Sequence, residues 1–169
     1  GTLNAGTNVQ TFSWNGTNAQ RWSFVQLDNY NGVNVSEGVY TIQSAANNAY
    51  VLDIDNASTN SGANVQLFNS NNTAAQKFSI KSVGDGYYKI QCEATGKVLD
   101  VSDGSMASNA NVQQFSWNGS AAQCWKFVDA GNGNYYIQSK LGTVLDIQNG
   151  TIRARNNVQV FELNKTNAQ

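Results

Sequence analysis

The chain alternates short apolar runs with clusters of turn-forming residues. Runs such as YVLDID at 50–55 and KVLDVS at 97–102 are rich in Val, Leu and Ile, and a polar stretch such as NASTNSGAN at 56–64 follows. Apolar runs of this length, bounded by Asn, Gly and Ser, are typical of β-strands joined by turns. The pattern therefore predicts an all-β protein.

These runs recur at a regular spacing. The phrase NVQ, any residue, Phe begins at Asn8, Asn64, Asn111 and Asn157. An Ala-Gln pair ends ten residues after each of its glutamines, at Gln20, Gln76, Gln123 and Gln169. A VLD run precedes each of the last three copies, and a Tyr-containing run precedes each VLD run. One unit therefore predicts four strands, YxI, VLDV, NVQxF and QxWxF.

The repeat predicts the organisation of the chain. We expect a partial repeat over 1–24, full repeats over 39–80 (repeat 1) and 87–128 (repeat 2), and a repeat over 135–169 (repeat 3) that lacks its last strand. Residues 25–38 are predicted as a longer loop or an interdomain linker. The spacing of 46 or 47 residues also fits a propeller blade, but a propeller needs about four blades. We therefore predict a single β-trefoil of three four-stranded repeats.

The same phrase occurs near both ends, as NVQTFSWNGTNAQ at 8–20 and NVQVFELNKTNAQ at 157–169. The repeats predict thirteen strands in all, one more than a trefoil contains. Two interpretations remain open. Residues 21–24 complete repeat 3 in a circularly permuted trefoil, or residues 1–24 are the tail of a preceding trefoil and the last strand comes from elsewhere. An unfilled strand position exposes backbone groups, which favours a strand-exchanged homo-oligomer.

Composition excludes several classes of function. Charged residues make up 12% of the 169 residues and the net charge is -1, which leaves no basic surface for nucleic acid. No apolar run approaches the roughly 20 residues of a membrane helix, so no membrane insertion is expected. Histidine is absent, which excludes histidine triads and histidine zinc sites. We expect no cofactor and no metal. The missing initial Met indicates a processed protein or an excised domain.

The Gln-x-Trp triplets carry a family resemblance. They read QRW at 20–22 and QCW at 123–125, with QKF at 76–78 as a variant. With the VLD and VQ elements, they make essentially the whole chain similar to the ricin-type β-trefoil lectin domains, which include plant toxin B chains and carbohydrate-binding modules of bacterial glycosidases. The resemblance implies a non-catalytic module of a larger secreted or cell-surface protein that binds glycans, with galactose-type sugars or xylan as expected ligands.

Each repeat also contains a recurring polar and aromatic set. Side-chain alternation places an Asp, a Gln and a Phe of each unit on one face, opposite the aliphatic residues. In the resembled family the aspartate accepts hydrogen bonds from sugar hydroxyls and an aromatic ring stacks on the sugar. The implied sites are Asp53, Gln66 and Phe68 (site 1), Asp100, Gln113 and Phe115 (site 2), and Asp146, Gln159 and Phe161 (site 3). Loop amides are expected from Asn71, Asn118 and Asn164.

The sequence departs from the family pattern at two positions. Ala stands before each Ala-Gln glutamine where the family commonly has Asn, and the ring is Phe where Trp or Tyr is frequent. One missing hydrogen bond costs about 0.5 to 1.5 kcal/mol, so we expect weak sites that act together. The alternative is a structural or protein-binding trefoil in which the aspartates accept backbone N–H groups from the following turns, or loops cover the Phe rings.

Other residues carry structural predictions. Trp22, Trp125 and the QxW glutamines are predicted as fold markers, with rings in the core and amides bound to backbone. Trp14 and Trp117 lie two residues beyond a repeat Phe and either extend its platform or pack over it. Cys92 and Cys124 form a disulfide or remain two buried thiols.

Paired catalytic carboxylates are not expected. A glycosidase needs two carboxylates about 5 to 9.5 Å apart, whereas a threefold repeat separates equivalent aspartates. We therefore predict a protein that is not an enzyme.

Overall fold

The computed structural model describes residues 32–169. The predictions for earlier positions, among them the partial repeat over 1–24 with Gln20, Trp14 and Trp22, lie outside the described residues. The described strands are β1 Gly32–Val33, β2 Gly38–Tyr40, β3 Gln43–Ser44, β4 Asn47–Ile54, β5 Ala63–Asn69, β6 Phe78–Gly84, β7 Tyr87–Cys92, β8 Val98–Val101, β9 Ala110–Phe115, β10 Trp125–Gly131, β11 Asn134–Ser139, β12 Val144–Ile147 and β13 Asn156–Phe161. Five single 3-10 turns, Asp55–Ala57, Ala74–Gln76, Ser102–Gly104, Ala121–Gln123 and Gln148–Gly150, connect some of them.

The strands pair antiparallel in the same way in successive repeats. The second and third strands of each repeat pair as β4 with β5, β8 with β9, and β12 with β13. The first and fourth strands meet at Tyr40 and Phe78 in repeat 1, and at Tyr88 and Trp125 in repeat 2. Fourth strands also form hairpins with the next first strands, β6 with β7 and β10 with β11. This threefold repetition confirms the predicted all-β trefoil.

The asparagines of the NVQ phrases join the three repeats. The third strands β5, β9 and β13 pair with one another in all three combinations. Where they meet, Asn111 Nδ2 donates to Asn64 Oδ1 at 2.9 Å, Asn64 Nδ2 donates to Asn157 Oδ1 at 2.9 Å, and Asn157 Nδ2 donates to Asn111 Oδ1 at 3.0 Å. The closed ring satisfies one donor and one acceptor of each of these half-buried amides, which explains the Asn at this position.

The core contains the residues that the QxW motif predicts. Phe78 and Trp125 have no exposed surface, and the Trp125 indole donates to Leu99 O at 3.1 Å. Gln76 and Gln123 are fully buried and donate to the carbonyls of Asn69 and Ser116. Their predicted role as fold markers is confirmed. Cys92 and Cys124 are two free buried thiols, which excludes the disulfide alternative.

The segment before repeat 1 contains a strand that the sequence did not predict. Residues 32–38 belong to the predicted loop or linker, yet β1 pairs Gly32 with Val128 and Val33 with Phe127. Just beyond it, Val35 N donates to the Tyr88 hydroxyl at 3.2 Å. This part of the segment is therefore packed on β10 and the neighbouring β7.

Candidate functional site

Each predicted aspartate lies directly opposite its predicted glutamine. The strand registers pair Asp53 with Gln66, Asp100 with Gln113, and Asp146 with Gln159. In sites 1, 2 and 3 the glutamine Nε2 donates to the aspartate Oδ1 at 2.8, 2.9 and 2.9 Å. The constant spacing of VLD and NVQ thus gives each repeat the same carboxylate–amide pair.

The aspartates are more enclosed than alternation suggested. Asp53, Asp100 and Asp146 are only 6, 7 and 6% exposed. We expected, as an alternative, that backbone N–H groups of the following turns donate to these carboxylates. Within the described residues, glutamine side chains donate to them instead. In site 1 a second glutamine contributes, since Gln76 Nε2 donates to Asp53 Oδ2 at 3.0 Å. Each Asp53 oxygen therefore has one fixed donor, which orients the carboxylate.

Site 1 brings all its predicted residues around one cavity. Asp53, Gln66, Phe68 and Asn71 line a cavity of about 310 Å³, together with Thr73 and Ala75 of the loop that precedes β6. The Phe68 ring is half-buried, so the loop covers it only in part. The cavity therefore offers a carboxylate, an amide side chain and part of an aromatic ring to one ligand.

The predicted loop asparagines fix their own loops. Asn71, Asn118 and Asn164 each accept a hydrogen bond through Oδ1 from the backbone two residues ahead, at 3.0, 2.8 and 3.1 Å. Their backbone N–H groups donate to the Oε1 atoms of Gln76, Gln123 and Gln169. The side-chain Nδ2 group is then the remaining donor that each could offer a ligand.

Site 2 presents two rings to solvent. Phe115 and Trp117 are each 39% exposed, and the Lys89 ammonium lies 5.3 Å from the centre of a Trp117 ring. Part of each side chain is therefore accessible to a ligand from solvent. The cation above the indole is attracted by the electron-rich ring face and helps to hold its position.

Site 3 has a different environment. Asp146 lines a cavity of about 320 Å³ with core residues such as Leu145 and Val158, and Phe161 is half-buried. Burial raises the pKa of Asp146, and side-chain hydrogen bonds from Gln159 and Gln169 lower it in part. Among the described residues, the buried Gln159 Oε1 has no hydrogen-bond partner.

The cavity of site 3 lies at the position of a fourth strand. It is lined by Tyr40, Ile42 and Ser44 from repeat 1 and by Tyr135 and Ile137 from repeat 3. In repeat 2, the equivalents of Tyr135 and Ser44 are Tyr88 and Cys92. Each of these pairs with a residue of a fourth strand, Tyr88 with Trp125 of β10 and Cys92 with Phe78 of β6. Within residues 32–169, repeat 3 has three strands and no such partner.

Sequence reasoning missed two charged residues of site 1. Asp55 and Arg155 also line its cavity, and Arg155 comes from the loop before β13 of repeat 3. The sequence did contain a signal for Arg155. The position two residues before each NVQ asparagine differs among the repeats, with Gly62, Asn109 and Arg155. No group of three His, Cys, Asp or Glu within 32–169 could hold a metal ion. Nor does that range include a helix with the length and apolarity needed to cross a membrane.

Comparisons with known proteins identify a family. A family model described as ricin-type beta-trefoil lectin domain-like matches residues 1–68, 18–115 and 74–161. A search of curated proteins finds no match.

Solved structures share the fold. ThreeFoil, a designed threefold symmetric protein, is 33% identical, with a TM-score of 0.76 over 78% of this chain and 94% of its own. The exo-beta-1,3-galactanase 1,3Gal43A from Clostridium thermocellum is 27% identical, with a TM-score of 0.72 over 79% of this chain but only 28% of its own. The Rhizoctonia solani agglutinin, 20% identical, has a TM-score of 0.72 over 81% of this chain and 94% of its own.

Proposed function

We propose that this chain, which belongs to the ricin-type beta-trefoil lectin domain-like family, binds carbohydrates and does not itself catalyse a reaction. The observation that carries the proposal is the cavity of site 1, where Asp53, Gln66, Phe68 and Asn71 meet. A concave site with a few convergent polar groups beside an apolar surface is suited to a small polyhydroxylated ligand.

The chemistry of site 1 suits a sugar ring. An ionised carboxylate has about four acceptor positions, and the glutamine amides of Gln66 and Gln76 each use one on Asp53. The others can accept sugar hydroxyl groups, while the exposed part of the Phe68 ring covers C–H groups of the sugar face. Because the carboxylate is held before the ligand arrives, little orientational entropy is lost on binding.

The three sites are proposed to act together. Site 2 offers the exposed rings of Phe115 and Trp117. Site 3 repeats the Asp146–Gln159 pair, and its Asp146 lines a more apolar cavity. Weak sites on one chain gain apparent affinity when a polymeric glycan engages more than one. Galactose-type sugars and xylan are the proposed ligands.

The test is binding to immobilised galactose, lactose and xylan. Wild type is compared with a variant that carries Phe68→Ala, Phe115→Ala and Phe161→Ala, and thermal unfolding verifies that the variant is folded. We expect at least one sugar to retain wild type and the variant to lose most of that binding. If wild type binds none of the three sugars, the proposal is wrong. It is also wrong if the folded variant binds as tightly as wild type.

A structural or protein-binding trefoil is the second candidate. It is favoured by the enclosure of the aspartates, which are buried and already accept hydrogen bonds from glutamine. If this candidate is correct, the carboxylates only stabilise the fold, and the three Phe→Ala substitutions have no effect on sugar binding.

The setting of the chain is also a proposal. We propose a module of a larger secreted or cell-surface protein, in keeping with the chain's coverage of 28% of the galactanase. Strand exchange between two chains is proposed because the repeats predict thirteen strands where a trefoil has twelve. Light scattering tests the exchange, and a monomer at all concentrations would contradict it.

A further inference from the structure

One position brings a residue of another repeat to each site. Gly62, Asn109 and Arg155 precede the NVQ asparagines by two residues, and their N–H groups donate to the carbonyls of Gln114, Val160 and Leu67 at 2.8, 2.8 and 2.7 Å. Each acceptor follows the glutamine of a neighbouring site. The backbone contacts thus place an arginine next to site 1, a glycine next to site 2 and an asparagine next to site 3, and Arg155 lines the cavity of its site.

The arginine occupies a backbone conformation that disfavours it. Arg155 has φ of 64°, close to the values of 70° for Asn109 and 85° for Gly62. Glycine and asparagine adopt this left-handed region readily, whereas a long side chain raises its free energy. Ala57, which also lines the site 1 cavity, has φ of 47° where repeats 2 and 3 have Gly104 and Gly150. Backbone strain of this kind concentrates at functional sites.

The charge of Arg155 is not neutralised by a described carboxylate. Its side chain is exposed, it lines the cavity with Asp53 and Asp55, and within 32–169 no acidic group is in ion-pair contact with its guanidinium. Site 1 therefore holds acceptors for hydroxyl groups and, from a different repeat, a planar cation with several parallel donors. A guanidinium of this kind matches a carboxylate in a bidentate manner.

We propose that site 1 selects a sugar that carries a carboxylate, a hexuronate, with Arg155 as the partner of that group. The inference rests on the proposed sugar binding at site 1. Asp53 accepts hydroxyl groups at one edge of the sugar, and Arg155 binds the carboxylate at another. The opposite charges of the two residues exclude the reversed orientation, because it would place the sugar carboxylate against Asp53.

The experiment compares ligands that differ only in charge. The full chain is titrated with methyl galacturonate glycoside and methyl glucuronate glycoside, each as the free acid and as its neutral methyl ester, while the backbone amides of Asn71 and Ala94 are followed by NMR. Both residues line the site 1 cavity. The variants are Arg155→Gln and, as matched control, Arg153→Gln, an exposed arginine of the same loop that is not among the cavity residues.

We expect at least one acid to bind wild type and R153Q about fivefold more tightly than its ester at low salt, since charge-assisted hydrogen bonds exceed neutral ones. The preference falls as salt is added and disappears in R155Q, whose affinity for the ester stays within about twofold. An ester that binds as tightly as its acid, or a preference that persists in R155Q, overturns the acid selectivity and leaves sugar binding intact. No response of either amide to any of the four ligands overturns both the selectivity and the proposed function at site 1.

Discussion

Sites 1 and 3 share one sequence signature and differ in what surrounds it. Asp53 in site 1 is bound by Gln66 and Gln76, and its cavity contains every predicted residue of the site. Asp146 in site 3 is bound by Gln159 and also interacts with the Gln169 side chain, its pKa is raised by burial, and its cavity is lined in large part by core residues. The spacing of Asp and Gln therefore fixes the pair, while the neighbouring strands decide what the pair can bind.

The QxW glutamine accounts for much of this difference. Gln76 is fully buried, and Phe78 after it enters the core. Gln169 forms the equivalent bonds to Asn164 and Glu162, but it is half-buried and lines the cavity of site 3. A buried glutamine keeps both loop and carboxylate in place, because its hydrogen bonds face no competition from water.

The largest expected effect comes from removing each glutamine. Gln76→Ala leaves Asp53 Oδ2, Asn69 O and Asn71 N without the partner that Gln76 supplies. The bond to Asp53 is buried, and the bonds to Asn69 and Asn71 are part-buried. Because a buried polar group left unpaired costs about 1 to 3 kcal/mol and a part-buried one costs less, we expect a loss of about 3 kcal/mol in the free energy of unfolding. Gln169→Ala, at a half-exposed position, should cost less than about 1 kcal/mol. Urea unfolding measures both, and equal costs would show that burial does not separate the two sites.

Replacing each aspartate with asparagine should produce effects of opposite sign. In Asp53→Asn the side-chain oxygen can accept from one glutamine, while its amino group meets the N–H donors of the other. We expect a loss of about 1 to 3 kcal/mol at pH 7. At Asp146 the effect of burial outweighs the hydrogen bonds from Gln159 and Gln169. Asp146→Asn removes the buried charge, so the melting temperature at pH 7 should rise.

The gain from Asp146→Asn should depend on pH. Because the folded pKa of Asp146 lies above its ordinary value of 3.8, the folded state binds the proton more tightly than the unfolded state. Stability from this group is therefore present below about pH 3.8 and is lost as the pH rises through the folded pKa. The variant should exceed wild type at pH 7 and match it at pH 3 in thermal unfolding. A gain of the same size at both pH values would contradict a role for the charge.

The sequence predicted the repeated elements better than their surroundings. Alternation and spacing placed Asp53 beside Gln66, and the QxW motif placed Trp125 in the core, because both follow from local periodicity within one repeat. Arg155 reaches site 1 from repeat 3, and Gln76 reaches Asp53 across 23 residues. The Arg155 contact depends on how the repeats pack around the ring of three asparagines. The Gln76 contact depends on how the strands and loops of repeat 1 fold against each other, which strand alternation alone does not contain. Alternation predicted that Asp53 faces outward, and the structure encloses it because of these same contacts.

Removing the aromatic ring of each site tests which site contributes more to sugar affinity. Phe68 lines a cavity with the other site 1 residues, whereas Phe161 is half-buried beside a cavity that it does not line. Stacking on an aromatic ring contributes about 0.5 to 1.5 kcal/mol, so Phe68→Ala should weaken binding of the sugar found by immobilised-ligand screening by up to about tenfold. Phe161→Ala should change it by less than twofold. Calorimetric titration measures both, and a larger effect of Phe161→Ala would place the principal site in repeat 3.

Exchanging one residue between the sites should change stability least. Arg155→Asn gives site 1 the residue that site 3 has at this position, Asn109, and removes a long side chain from a backbone with φ of 64°. A left-handed conformation costs ordinary L-residues about 1 to 2 kcal/mol, and asparagine avoids part of that cost, so we expect a gain of about 0.5 kcal/mol. The reverse change, Asn109→Arg, should lose a similar amount at a backbone with φ of 70°. Urea unfolding of both variants measures these changes. The comparison requires that the free energy of unfolding depends on urea concentration with the same slope as in wild type. If Arg155→Asn destabilises the protein, the arginine contributes to the fold itself, and its presence at a strained position needs no ligand to explain it.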